Sequence, residues 1–293
     1  MKIAIFGQAF NISTEEALVI ILQYLEQKED VSVFLVEEFH KKIQEEKKSD
    51  IHFAKVVNTL GSSFDLLISI GGDGTILRAI THVQDLNIPI IGVNTGRLGF
   101  LATIQSQTII PAMDAIFNKA YKLSERNLLA IETSPKNDAF KTLNFALNEI
   151  AVSRKNTTSM ISVETRLNHE YLTSYWSDGL IVSTPTGSTG YSLSCGGPVI
   201  TPDTNSFVIT PIAPHNLSAR PLVITDSTEI QLKVNGREDN FLVSLDSRIA
   251  TLSNDTIITI KKAPFTIKMI ELLEESFLDT LRKKLLWGED KRN

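Results

Sequence analysis

The 293-residue sequence predicts an α/β N-terminal domain with a mostly parallel sheet, followed by an all-β sandwich domain, with a C-terminal helix returning to the first domain. Three observations carry this expectation. Apolar strands alternate with helical periodicity up to about residue 121, the period then changes to two, and the chain ends in an amphipathic helical segment. A chain of this length also approaches the size at which single cores split. The expected division is 1–121 plus 272–293 for the α/β domain and 122–271 for the sandwich.

Ile3-Ala4-Ile5-Phe6 reads as a buried strand closing at Gly7, and residues 14–27 place Ala17, Leu18, Ile21, Leu22 and Leu25 at helical spacing. Residues 31–36 form a second strand, and the mixed charges of 37–48 suit a solvated helix or loop. The strand 66–70 runs into Gly71-Gly72-Asp73-Gly74-Thr75, 76–83 reads as helix, and 88–93 supplies another short strand. Strands that are apolar throughout belong to a parallel sheet covered on both faces. Beyond residue 121 the segments 162–167, 229–234 and 256–260 alternate or nearly so, separated by turn signals at Asn235-Gly236 and Ser253-Asn254-Asp255. Residues 271–287 read as a helix with acids leading, Arg282-Lys283-Lys284 trailing and Gly288 following. Leu273, Phe277, Leu281 and Leu285 share one of its faces.

Composition bounds the function. Lys and Arg number 29 against 34 Asp and Glu, a net charge of −5 that argues against a nucleic-acid partner. Cys195 is the only cysteine, so neither an intrachain disulfide nor a cysteine-cluster zinc site is expected. No apolar run approaches the roughly 18–20 residues that cross a bilayer, and Ile3–Phe6 is too short for a signal-peptide core. A cytoplasmic protein without a membrane partner is the expectation.

Gly71-Gly72-Asp73-Gly74-Thr75 follows a buried strand, where three glycines let an anion approach the main chain at the carboxyl end of a parallel strand. It is neither a P-loop nor a dinucleotide fingerprint, since the required Lys-Ser/Thr and glycine spacings are absent. The same aspartate could do no more than bond nearby amides, as turn aspartates do. The segment 177–198 carries eight hydroxyl-bearing residues between Ser183 and Ser194, which could offer donors and acceptors to a sugar, amide or phosphate. Tyr191 adds a stacking face. No Gly-x-Ser-x-Gly frames a nucleophilic serine. Asn148-Glu149 opens an apolar strand and could hold sugar hydroxyls or merely end the strand. Arg97, in the loop 94–101, could meet a phosphate or lie on the surface. His40, His52, His82, His169 and His215 show no ligand spacing.

Together these motifs resemble the NAD kinase family, ATP-dependent enzymes that phosphorylate NAD on the 2′-hydroxyl of its adenosine ribose. The resemblance covers nearly the whole chain and rests on 71–75, 94–101, Leu147-Asn148-Glu149, 177–198 and 210–215. It implies a phosphate- and ATP-binding first domain and an NAD-binding second domain. It makes Asp73 the catalytic proton acceptor and Asp73, Gly74, Asn148, Glu149, Asp178, Thr189, Gly190, Tyr191, Ser192, Leu193 and Ser194 NAD contacts. Gly72 and Arg78 would face phosphate. It further implies ATP and NAD as substrates and a homo-oligomer, dimer or tetramer. With no metal-ligand cluster in the sequence, a divalent cation such as Mg²⁺ would arrive on the ATP phosphates. The chain departs from the family pattern at Gly190, usually Ala, and at Asp246-Ser247-Arg248, usually Asp-Gly-Gln, while the contacts near Ser159 and Trp176 fall on variable positions. A lipid or sugar kinase shares the glycine loop, and a non-catalytic NAD(P) sensor could share the rest. The polar run 184–194 disfavours an acyl-chain entrance.

Overall fold

The computed structural model describes residues 1–47, 54–156, 159–216 and 218–286. The chain forms two compact units, Met1–Glu125 with Ile267–Asn293, and Arg126–Thr266.

The first unit runs β1 (Lys2–Gly7), α1 (Ile12–Glu26), β2 (Ser32–Val36), α2 (Glu37–Lys47), β3 (Lys55–Val57), β4 (Leu66–Ile70), α3 (Asp73–Val83), β5 (Ile90–Asn94), β6 (Ile104–Gln105) and α4 (Ile109–Phe117). Its strands pair in the order β5, β4, β1, β2, β3, with β6 on β5, and every pair is parallel. All five residues of β4 and of β5 are buried, as the unbroken apolar runs predict. Asn11 caps α1 by accepting the Thr14 N–H at 3.0 Å, and the predicted stripe from Ala17 to Leu25 is the buried one. The charged segment after β2 is a helix because Phe39 and Ile43 give it a buried side; Lys48 and His52 lie outside the described residues.

The second unit contains most of β7 (Tyr121–Ser134), then β8 (Phe145–Ala146), β9 (Glu149–Arg154), β10 (Ile161–Leu167), β11 (Glu170–Ser177), β12 (Gly179–Ser183), the short α5 (Tyr191–Ser194), β13 (Ser206–Ile212), β14 (Leu222–Thr225), β15 (Ile230–Asn235), β16 (Asn240–Leu245), β17 (Arg248–Ser253) and the first part of β18 (Ile257–Leu272). One antiparallel layer is β14-β13-β12-β9-β16-β17, and the other includes β11-β10-β15-β18. Their inner faces share a core of Val163, Leu180, Val182, Phe207, Leu232, Phe241, Val243 and Ile258 among others. Asn235-Gly236 does not close a hairpin: β15 and β16 lie in different layers, so this turn carries the chain across the sandwich, and Ser253-Asn254-Asp255 does so again between β17 and β18.

The final helix is shorter than its sequence pattern suggests. Residues Ile267, Met269 and Ile270 are buried and Met269 pairs in parallel with Ile90, so β18 continues to Leu272 where a helix start was expected. Ser276 then caps α6 (Phe277–Leu285), which belongs to the first unit. Leu273 lies outside the helix and is exposed, and Leu281 is the helix's one buried residue; Trp287 and Gly288 fall outside the described residues. Leu281→Ala should therefore cost about 2–3 kcal/mol, whereas Leu278→Ala, 55% exposed, should stay within about 0.5 kcal/mol. Urea unfolding of both variants checks the contrast.

Candidate functional site

In the first unit the glycine loop is the entry to a helix rather than a free loop. Gly72 is the N-cap of α3 and Asp73 its first residue. Gly71 has φ +150°, and a Cβ there would run into the Thr75 hydroxyl, so only glycine fits. Cβ positions on Gly72 and Gly74 meet nothing within 4 Å, which leaves the main chain open to a bulky group.

The Asp73 side chain turns back onto the segment after β5. Its Oδ2 accepts the Phe100 N–H at 2.8 Å, and its Oδ1 accepts those of Leu101 and Ala102, both at 3.0 Å. That segment is held in turn by Asn94, only 3% exposed, which donates to the Arg97 and Ala102 carbonyls and accepts the Gly96 N–H. The motif 94–101 thus braces Asp73, while Arg97 itself is exposed. The Asp73 side chain stays 30% exposed. Arg78, one turn along α3, pairs with Glu38 at 3.1 Å, and His82 lies 3.5 Å from the same carboxylate oxygen. Burial pushes the His82 imidazole below its ordinary range, against the pull of Glu38. The charged C-terminal turn of α6 brings Lys284 to 3.8 Å from Asp73 Oδ2.

The second unit gathers Asn148, Glu149 and the hydroxyl-rich run around Asp246. Asp246 has φ +52° and a side chain only 1% exposed, and its carboxylate accepts the backbone N–H groups of Leu147 (3.0 Å), Asn148 (2.8 Å) and Glu149 (3.2 Å). Most hydroxyls of the run serve the same turn or their own. Thr184 donates to the Leu147 carbonyl, Ser183 to that of Asn148, Ser188 to that of Pro185 and Thr189 to that of Thr186, and Ser192 bonds the buried Thr210 hydroxyl. A Cβ on Gly187 would collide with the Asn148 backbone, so glycine is what lets the run lie this close. The buried hydroxyls of Ser183, Thr184, Ser188 and Ser192 thus support the turn from within.

What the support presents is a pair of unsatisfied polar atoms. Asn148 Oδ1 and Glu149 Oε2 are buried without a hydrogen-bond partner, and a Cβ on Gly190 would lie 3.7 Å from Asn148 Nδ2 and 3.5 Å from Glu149 Oε2. Burial, then repulsion from Asp246, pushes the Glu149 carboxyl up to about 8, with the Tyr191 backbone N–H opposing. Asp246 is also raised by burial, but its three amide donors and Arg248 pull it back. Tyr191 is 45% exposed beside them. Asp178 pairs with Arg154 at 2.9 Å. Arg248 donates to the carbonyls of Leu143 and Phe145, so it is held on the sandwich.

Asn94, Arg154 and Lys284 were not singled out by sequence reasoning as functional positions, and Asp246 entered only as the first residue of Asp246-Ser247-Arg248, without a role. Asp246 reaches amides 97–99 residues away, which no local pattern signals, and Lys284 reads as a helix-dipole charge. Only Asn94 carried a signal, as the first residue of a strand-following motif.

The first unit thus offers a glycine-opened helix start with a braced carboxylate, and the second an amide–carboxyl pair beside an exposed tyrosine. Residues 3–121 match the ATP-NAD kinase N-terminal domain and 147–272 the ATP-NAD kinase C-terminal domain. The chain is 57% identical to an NAD kinase of Flavobacterium psychrophilum and 40% identical to one of Bacteroides fragilis, each over the full length of both chains. Its fold is similar to yeast NADH kinase complexed with NADH, with a TM-score of 0.86 at 25% identity, covering 99% of this chain and 89% of that one. It is also similar to an NAD kinase from Archaeoglobus fulgidus in complex with ATP, with a TM-score of 0.75 at 26% identity, covering 98% and 99%. The chain belongs to the NAD kinase family and catalyses ATP-dependent phosphorylation of NAD to NADP; a lipid or sugar kinase and a non-catalytic sensor are not favoured.

Asp246→Asn puts an amide donor where three backbone donors converge. It should cost about 1–3 kcal/mol in a thermal or urea melt and raise the KM for NAD. The pH dependence of stability checks Glu149. A carboxyl held at about 8 keeps in the folded state a proton that the unfolded chain releases near 4.5, so its contribution is full below about 4.5 and is lost as pH rises through about 8. Glu149→Gln should therefore gain stability relative to the wild type across that window.

Proposed function

We propose that Asp73 accepts the proton of the NAD 2′-hydroxyl as that oxygen attacks the γ-phosphorus of ATP. The observation that carries this reading is the Asp73 hydrogen-bond inventory. A carboxylate offers about four lone-pair positions, and three are taken by Phe100, Leu101 and Ala102, with the side chain still partly open to solvent. The carboxylate is thus fixed in orientation and retains one acceptor site, on Oδ2. Positioning and a proton acceptor are what phosphoryl transfer asks of the protein.

In the second unit Asn148 and Glu149 take ribose hydroxyls, supported by their two unpartnered atoms. A protonated Glu149 both donates and accepts, which suits a hydroxyl pair. Tyr191 offers its exposed ring, and Asp178, Thr189, Gly190, Leu193 and Ser194 complete the NAD surface, with Ser192 holding the turn through Thr210. The first unit is the phosphate and ATP side, with Gly72, Gly74 and Arg78 facing phosphate. The open Cβ positions of Gly72 and Gly74 leave room for a phosphate group at the start of α3. Mg²⁺ on ATP would neutralise phosphate charge. We further propose a cytoplasmic homo-oligomer; no helix among the described residues is long and apolar enough to cross a membrane.

Asp73→Asn should lower kcat for NADP formation by about 10²–10⁴ and leave the KM for NAD within about threefold of the wild type. Turnover at the wild-type rate in the folded variant removes Asp73 from the proton-accepting role.

A further inference from the structure

The three amides on Asp73 are distributed unevenly. Oδ1 accepts two of them, from Leu101 and Ala102, and Oδ2 accepts only that of Phe100. The remaining lone pair lies on Oδ2, and this is the oxygen that Lys284 faces at 3.8 Å. Two contacts hold the lysine there. Its ammonium sits 4.9 Å over the Phe100 ring, and that ring packs 6.2 Å from Phe277 on the same helix as Lys284. Phe100 therefore gives its backbone N–H to the reactive carboxylate and its side chain to the cation beside it. The lysine is one-third exposed, so its charge acts on Asp73 through a partly dry path rather than through bulk water.

We infer that Lys284 is a positioning residue of the phosphoryl transfer, a cation delivered by the C-terminal helix to offset the negative charge of Asp73 at the oxygen that takes the proton. Amides already fix the carboxylate's orientation, so what the lysine adds is charge. As the hydroxyl proton passes to Oδ2, the negative charge moves from the carboxylate to the attacking oxygen and the phosphoryl group, and an ammonium held beside them offsets that charge in the transition state. The inference rests on the proposed role of Asp73, and it accounts for a helix that contributes little burial of its own beyond Leu281.

The test measures steady-state NADP formation with ATP and NAD varied, for Lys284→Met, which keeps the stem and removes the charge, and for Lys284→Arg, which keeps the charge. Lys284→Met should lower kcat about tenfold with the KM for NAD and ATP within about threefold, and Lys284→Arg should restore most of the loss. In an Asp73→Asn background Lys284→Met should cause no further loss, because the lysine acts through that carboxylate. Wild-type kcat in Lys284→Met, equal losses in Met and Arg, or a multiplicative loss in the Asp73→Asn background would each overturn the inference. If the melt shows that Lys284→Met does not fold, Lys284→Gln is read by the same criteria. A wild-type rate in Asp73→Asn brings down the base assignment itself; collapse of Asp73→Asn with an unchanged Lys284→Met brings down only the role of the lysine.

Discussion

Each half of this enzyme hangs on a carboxylate that accepts three consecutive backbone N–H groups from a distant segment. Asp73 takes those of residues 100–102, and Asp246 takes those of residues 147–149. Three successive amides aimed at one anion make a concave nest, and charge-assisted bonds of this kind are among the stronger polar interactions a fold can build. Without Asp73 the segment after β5 loses its fixed end, and without Asp246 the Asn148-Glu149 turn loses its floor. The difference between the two nests is burial. Asp246 is closed off, whereas Asp73 keeps partial exposure and a spare acceptor site.

The burial of Asp246 has an electrical consequence next door. Two carboxylates cannot both ionise easily in a dry turn, and the amides and Arg248 favour Asp246 as the charged member. Glu149, with one opposing amide, is left holding its proton into the neutral range. A neutral carboxyl beside a neutral amide presents both donors and acceptors without a net charge, which suits a sugar edge and would not repel the phosphates of a dinucleotide.

Much of the fold was legible because its signals are local. Unbroken apolar runs such as Leu66–Ile70 mark parallel strands, and the alternation in β10 and β15 marks sandwich strands with one face inward. The final helix was started too early, at 271: Glu271 and Leu272 still belong to β18, and the helix waits for the Ser276 cap. At the site the glycine loop and Asn148-Glu149 were visible as motifs. The hydroxyl-rich run was visible as a motif, but not which hydroxyls turn inward: one offered to a ligand and one bonded to a carbonyl look alike in sequence, and Ser183, Thr184 and Ser188 are of the second kind. Asp246 was hidden for a stronger reason, since its partners lie nearly a hundred residues away.

A net charge of −5 gives no bulk attraction for two polyphosphate substrates. Within each unit the cations named above are paired: in the first Arg78 with Glu38, with Lys284 facing Asp73, and in the second Arg154 with Asp178. Pairs this exposed contribute only about 0–1 kcal/mol each, so an arginine can exchange a carboxylate for a phosphate oxygen at little cost. Pairing keeps each guanidinium at its post before the nucleotide arrives and spares the protein a patch of like charge. Attraction for the nucleotides therefore cannot come from the net charge and has to be local.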